Sequence, residues 1–142
     1  MIKKPNRLRT IGRRERVNLP MLEAFGIEAK VDTGAYRSVL HCISCREEQR
    51  DGKPLLVTVF NLDGLGEKTF EFPRFYEKLV RSSSGHAEMR YIINTPMQLG
   101  KKTVRCEVSL TDRSDMRYQV LIGRKTLRGR YRVNVQKKFV LG

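Results

Sequence analysis

The sequence predicts an all-β fold, and three observations carry that reading. Short apolar segments recur along the chain with Asp- and Gly-bearing turns between them, as in 55–60, then Asp63-Gly64-Leu65-Gly66, then 68–72. Residues 103–110 alternate, with Val104, Cys106, Val108 and Leu110 on one face, the period-2 pattern of a half-buried strand. No internal repeat, low-complexity stretch or Pro/Gly/Ser linker interrupts the series.

Taken in order, a short helical turn is expected at 21–25, followed by a strand over 29–31 that runs into Asp32-Thr33-Gly34-Ala35. Segments 55–60 and 68–72 form a hairpin. Strands follow at 91–93 and 103–110, with Leu99-Gly100-Lys101-Lys102 as the turn between them. Val120-Leu121-Ile122 is a second apolar strand that ends in a glycine, Gly123. A helical stretch at 125–128 and a strand at 131–135 complete the reading.

At 142 residues the chain is long enough for one core and too short for two lobes. The expected organisation is a basic N-terminal arm, 1–10, and one domain, 11–142. The formal charge of +14 is concentrated at the two ends. Residues 1–16 hold seven Lys/Arg and one acid, residues 113–138 hold nine and one, and the middle is balanced. Such blocks either form a solvated basic face or meet a polyanion: nucleic acid, a ribosomal component or an acidic peptide. Cys42, Cys45 and Cys106 are an odd number, which fits free thiols in a reducing compartment. The start has no apolar signal core and no run reaches membrane-spanning length, so a cytoplasmic location without membrane partners is expected.

Asp32-Thr33-Gly34 alone reads as a turn, because Asp and Thr bond to nearby backbone and Gly is conformationally free. The second strand-to-glycine segment, Ile122-Gly123-Arg124, changes that reading. Together the two segments resemble the half-site of retroviral-type aspartic proteases, the retropepsins, which pack an apolar-apolar-Gly-Arg run beneath an Asp-Thr-Gly loop. Ile11-Gly12-Arg13-Arg14-Glu15, residues 30–40, residues 82–90 and residues 112–124 extend the likeness over nearly the whole chain. They resemble the bacterial RimB-like, retropepsin-like proteins that carry the label ATP-dependent zinc protease and include partners of RimK-type glutamate ligases. The residues support neither half of that label: there is no Walker loop and no His-Glu-x-x-His helix. No cofactor is expected.

The resemblance implies a small closed β-barrel with one short helix after the second glycine motif. With one Asp-Thr-Gly loop per chain, it also implies a homodimer. Asp32 of each subunit would be catalytic, activating water for peptide-bond hydrolysis. Thr33, Gly34, Ala35, Ile122, Gly123 and Arg124 would support the loop: Thr33 by tying the two loops across the axis, Gly34 by donating its N–H to Asp32, and Arg124 by binding a carboxylate or carbonyl. Ser83, Gly85, Glu88 and Arg90 are candidates for the substrate cleft, against the plain reading of a polar turn. Both 63–66 and 82–86 could serve as the flap that closes over substrate. Where the family usually reads Asp-Thr-Gly-Ala-Arg-Thr-Ser, this chain has Asp32-Thr33-Gly34-Ala35-Tyr36-Arg37-Ser38. The basic residue is shifted by one, which on a strand would turn it to the other face.

His41-Cys42-Ile43-Ser44-Cys45 could hold zinc or act as a redox pair, but a structural zinc needs four ligands, and thiols packed at a strand end are the preferred reading. The leading functional expectation is a homodimeric aspartic endopeptidase acting on a protein or acidic, glutamylated substrate linked to a RimK-type ligase. The alternative is a catalytically weak retropepsin-fold protein that binds and regulates a glutamate ligase or a ribosomal component through its basic ends. A dedicated nucleic-acid binder ranks last: there is no Trp, and the terminal blocks hold only Tyr118, Tyr131 and Phe139 for stacking.

Overall fold

A computed structural model describes residues 7–81 and 84–142. Strand β1 spans Arg9–Gly12, β2 Arg14–Leu19, β3 Ala24–Val31, β4 Ser38–His41, β5 Ser44–Arg50 and β6 Lys53–Phe60. Then come β7 Lys68–Phe72, β8 Tyr76–Arg81, β9 Ala87–Leu99, β10 Lys102–Thr111, β11 Val120–Ile122, helix α1 Arg124–Leu127 and β12 Tyr131–Asn134. The pairing order β10-β4-β11-β3-β2-β9 returns to β10 through an antiparallel β9–β10 ladder, which closes a six-stranded barrel. Closure leaves no free edge within the ring. The expected all-β barrel with one short helix after the second glycine is therefore the observed fold.

The barrel interior is apolar. Leu19, Ile27, Leu40, Met97, Val120 and Ile122 are buried in one continuous core. On β10 the anticipated face, Val104, Cys106, Val108 and Leu110, is the buried one. Three additions lie outside the ring. β8 pairs with β9 and extends the hairpin outward, β5-β6-β7 form a separate antiparallel sheet, and β1 pairs in parallel with β12. β1 begins at Arg9, so the last two residues of the stretch set apart as a basic arm are hydrogen-bonded strand.

The helical expectation at 21–25 is corrected. A 3-10 turn covers Pro20–Leu22, Glu23 adopts φ 53, and Ala24 and Phe25 already belong to β3. Ala24 is buried opposite Leu19 across the β2–β3 ladder, and that pairing outweighs the helical propensity of a Met-Leu-Glu-Ala run. The hairpin of 55–60 with 68–72 is present as β6–β7, and Gly100 turns β9 into β10 at φ 63.

The C-terminal segment straps the first strands. Glu15 is buried, and its carboxylate accepts the backbone N–H groups of Gly12 at 2.7 Å and of Val140 and Leu141 at 3.2 Å each. Gly12 is glycine for a steric reason: a Cβ there would lie 2.6 Å from the Lys137 carbonyl oxygen. The Phe139 N–H donates to the Arg14 carbonyl at 2.9 Å, and the Arg14 and Arg16 guanidiniums lie over the Phe139 ring.

Candidate active site

Parallel pairing brings two motifs ninety residues apart to one end of the barrel. Val120, Leu121 and Ile122 face Ala29, Lys30 and Val31 in register, so β3 and β11 end on the same side. From β3 the chain enters Asp32-Thr33-Gly34-Ala35; from β11 it enters Gly123 and α1. The Asp32 N–H continues the ladder to the Ile122 carbonyl at 2.9 Å. The Asp32 side chain is half-buried, and its Oδ1 accepts the Gly34 N–H at 3.0 Å. Thr33 and Gly34 are exposed at the tip.

The second motif holds the first from beneath. Arg124 N–H donates to the Ala35 carbonyl at 2.9 Å, Lys125 N–H to the Tyr36 carbonyl at 2.8 Å, and Arg124 Nη1 to the Thr33 carbonyl at 2.9 Å. Of the two partners the sequence offered Arg124, the structure thus provides a backbone carbonyl of the Asp32 loop. Gly123 is buried where a Cβ would stand 2.5 Å from the carbonyl carbon and oxygen of Arg37 and 2.9 Å from the Ser38 nitrogen. Its φ of −90° is open to any residue, so close packing and not backbone freedom requires glycine here.

A buried hydroxyl pair completes this support. Ser38 Oγ accepts the Gly123 N–H at 3.1 Å and lies 2.7 Å from Thr126 Oγ1, with both side chains buried. The sequence reading quoted Ser38 only as part of a motif and gave Thr126 no role. The available signal was the polar pair itself, Ser38 opening an apolar Val39-Leu40 run and Thr126 following the second glycine.

The shifted basic residue has a structural outcome. Residues 36 and 37 form a bend, not a strand, so the strand argument for opposite faces does not apply, although Arg37 is the more covered of the two. Tyr36 is exposed, with the cationic groups of Arg37, Arg124 and Lys125 between 5.2 and 5.9 Å from its ring centre. Arg37 is mostly covered and approaches Glu107 at 3.9 Å. Glu107 also receives Lys125 Nζ and the Tyr76 hydroxyl, which links β8 and α1 through one carboxylate on β10.

The polar run ahead of β9 divides. Ser83 lies outside the described residues, and Gly85 is exposed at the β8–β9 tip with φ 87. Glu88 and Arg90 come together: Arg90 Nε donates to Glu88 Oε1 at 2.5 Å, and Thr111 donates to the same oxygen at 3.1 Å. The Arg90 bond holds the Glu88 carboxyl below its ordinary pKa. Arg113 joins this pair electrostatically to the Asp32 loop. Burial pushes its pKa down, Arg90 adds to that, and Asp32 acts in the opposite direction. Arg113 is held at both ends: its backbone N–H donates to His41 Nδ1 at 2.8 Å, and its side-chain Nε donates to the Tyr118 carbonyl at 2.8 Å. The accepting role of Nδ1 suits a neutral imidazole, and burial lowers the His41 pKa. Arg113 was not singled out in the sequence, where it was one cation in a basic block.

Beside the loop, Arg13, Arg14, Lys30, Val31, Arg117 and Tyr118 line an open hollow of about 300 Å³. Cys42 and Cys45 sit where β4 passes into β5, buried and half-buried respectively, as thiols packed at a strand end. Among the described residues, no three His, Cys, Asp or Glu side chains gather as a metal-binding group. No helix among them is long and apolar enough to cross a membrane.

Comparison with known proteins agrees with this geometry. A solved protein of unknown function from Legionella pneumophila superposes with a TM-score of 0.73 over 94% of this chain and 98% of its own, at 24% identity, a likeness of fold. A "Probable alpha-L-glutamate ligase" of Desulfotalea psychrophila is 30% identical over 135 residues, and one of Shewanella pealeana is 33% identical over 137. Each match takes in 93% of this chain but only 29% and 30% of the relative, so the chain spans about three-tenths of the length of these curated proteins. The model of one family, described as retropepsin-like aspartic endopeptidase RimB, matches residues 10–142, and the chain belongs to that RimB-like family.

Proposed function

We propose that the chain is a homodimeric aspartic endopeptidase in which one Asp32 from each subunit activates the water that hydrolyses a peptide bond. The observation that carries this reading is the position of Asp32. It is a half-buried carboxylate at the open end of a closed barrel, its loop fixed by the Ile122 carbonyl, the Gly34 N–H and Arg124.

Two such carboxylates brought together at a dimer axis cannot both ionise easily, so the pair holds one proton. The ionised member takes a proton from the bound water as it attacks the scissile carbonyl carbon. The protonated member donates toward the carbonyl oxygen and, as the tetrahedral intermediate collapses, a proton passes to the leaving amine. Thr33, exposed at the loop tip, would bond across the axis. Ala35, Ile122, Gly123 and Arg124 act as support. The β8–β9 hairpin is the better flap, since β8 is exposed along nearly its whole length. The other tip is tied down by the Asp63 N–H to Gln119 bond of 2.7 Å. Glu88 and Arg90 on the β9 arm of that hairpin, paired with Val80 and Lys78, and Gly85 at its tip would then border the cleft, and Ser83 is kept as a candidate from the sequence.

An acidic peptide is the proposed substrate class. The hollow next to the loop is lined by Arg13, Arg14, Lys30 and Arg117, and the relatives named as glutamate ligases carry this domain within a longer chain. A RimK-type ligase that appends glutamates would make a complementary tail. The location consistent with such a partner is the cytoplasm.

The deciding experiment compares the protein with Asp32→Asn on a glutamate-tailed protein and a mixed peptide library from acidic to neutral pH. Loss of all cleavage in a variant with unchanged melting temperature supports the reading. Equal binding of the tail by both proteins without cleavage by either replaces it with a regulatory binder acting through the basic ends. Sedimentation tests the dimer separately: because the chain ends are basic, association is expected to strengthen with added salt or polyglutamate, and a species indifferent to both argues against the dimer as drawn.

A further inference from the structure

We propose that Cys42 and Cys45 form a redox-active dithiol that closes to an intramolecular disulfide on reaction with a low-molecular-weight disulfide, at the junction between the barrel and the β5-β6-β7 sheet. The two sulfurs are 3.0 Å apart, although neither the proteolytic reading nor the fold requires them to meet. They differ in access. Cys42 is 2% exposed and its sulfur lies 3.1 Å from the Ser44 carbonyl oxygen and 3.5 Å from that of Val59, whereas Cys45 is half-buried at the start of β5. One thiol is therefore reachable and the other waits behind it, the arrangement of an attacking and a resolving cysteine.

Their acidities favour the same order. The hydrogen bond from Cys42 holds the Cys45 thiol below its ordinary pKa, and the same bond, with burial, pushes Cys42 far up. Cys106, the third cysteine, is buried against the Thr95 carbonyl, and burial raises it to about 11, so it takes no part.

The chemistry balances without a metal. Cys45 thiolate attacks one sulfur of the small disulfide. The S–S bond breaks, one thiolate leaves with its electron pair, and a mixed disulfide remains on Cys45. Cys42 then loses its proton to solvent, its sulfur attacks Cys45 Sγ, and the second small thiolate departs. Two protein thiols are oxidised by two electrons, and one disulfide is reduced to two thiols. The bond would also stiffen the point where the Cys42 N–H pairs with the Thr111 carbonyl and the neighbouring His41 holds Arg113.

The test incubates the native protein with oxidised glutathione, blocks remaining thiols in denaturant and maps the peptides. The expected result is a Cys42–Cys45 disulfide, Cys106 recovered as a blocked thiol, and full reversal by excess reduced glutathione. Cys42→Ser is expected to stop at a glutathione adduct on Cys45, and Cys45→Ser to remain unmodified at Cys42. Either of two results in the native chain overturns the proposal: both thiols recovered unreacted, or an adduct that stays on Cys45 with Cys42 unlinked. The native-chain map decides the matter even if a serine variant fails to fold.

Discussion

The Asp32 loop is held from below by buried backbone and hydroxyl bonds, whereas the β8–β9 hairpin is held by ion pairs and hydrogen bonds near the surface. Beneath the loop, Gly123 leaves no room for an added methyl group, and the Ser38 and Thr126 hydroxyls pair with each other and with the Gly123 N–H. Along the hairpin, β8 is exposed residue after residue, and its links to the barrel run through Glu88 with Arg90 and Thr111 and through Glu107 with Tyr76. Buried, fully paired contacts fix geometry, while exposed ion pairs contribute about 0–1 kcal/mol each and leave a segment able to open. The proposed proteolytic function would need both: a carboxylate that does not move, and a cover that does.

The largest effect should come from Gly123→Ala. The new Cβ meets backbone atoms of Arg37 and Ser38, which cannot rotate aside, so the β4 end and the Asp32 loop must shift together. Overpacking of this kind costs about 1–3 kcal/mol or more. Calorimetry should show a clear fall in melting temperature and cleavage should be lost with it. A variant of unchanged stability and activity would mean the loop is not the rigid partner in the comparison.

Ser38→Ala is expected to be milder and more specific. It leaves the Gly123 N–H and the Thr126 hydroxyl short of a partner in a buried site, at a cost of about 1–3 kcal/mol. Thr126→Ala combined with Ser38→Ala should cost less than the sum of the two single changes, because the hydroxyls serve each other. A double-mutant cycle by chemical denaturation measures this, and strict additivity would dissolve the pair.

Much of this division was open to reading from sequence, and the exceptions have physical causes. The β6–β7 hairpin and β10 with its alternating face follow turn chemistry and periodicity, β11 is an apolar run ending in glycine, and the helix after Gly123 is implied by the family resemblance. β2 hides its alternation because its inward-facing positions include Glu15, an acid that the C-terminal strap satisfies with distant amides. β5 and β8 are exposed on both faces and offer no apolar period to detect. The Asp51-Gly52 pair, with φ of 54 and 76, marks the β5–β6 turn and was the local signal that could have revealed β5. Asp32 and Gly123 could be picked out individually; Ser38, Thr126 and Arg113 could not, since their roles depend on the register of β3, β4 and β11.

The smallest effect, and the one that sharpens the contrast most, concerns Glu88. Its folded pKa lies below the ordinary value of 4.5, chiefly through the Arg90 bond. A depressed carboxyl contributes its stabilisation above the unfolded pKa and loses it as pH falls through the folded one. Amide exchange in the β8–β9 hairpin should therefore quicken relative to the barrel as pH drops below about 4.5, after correction for the intrinsic rate. Glu88→Gln should leave global stability within about 0.5 kcal/mol, as expected for an exposed pair, yet remove that pH dependence and raise KM severalfold with little change in kcat. If Glu88→Gln instead lowers stability as much as Ser38→Ala, the β8–β9 hairpin is part of the rigid framework, and the mobile cover must be sought at the β6–β7 tip.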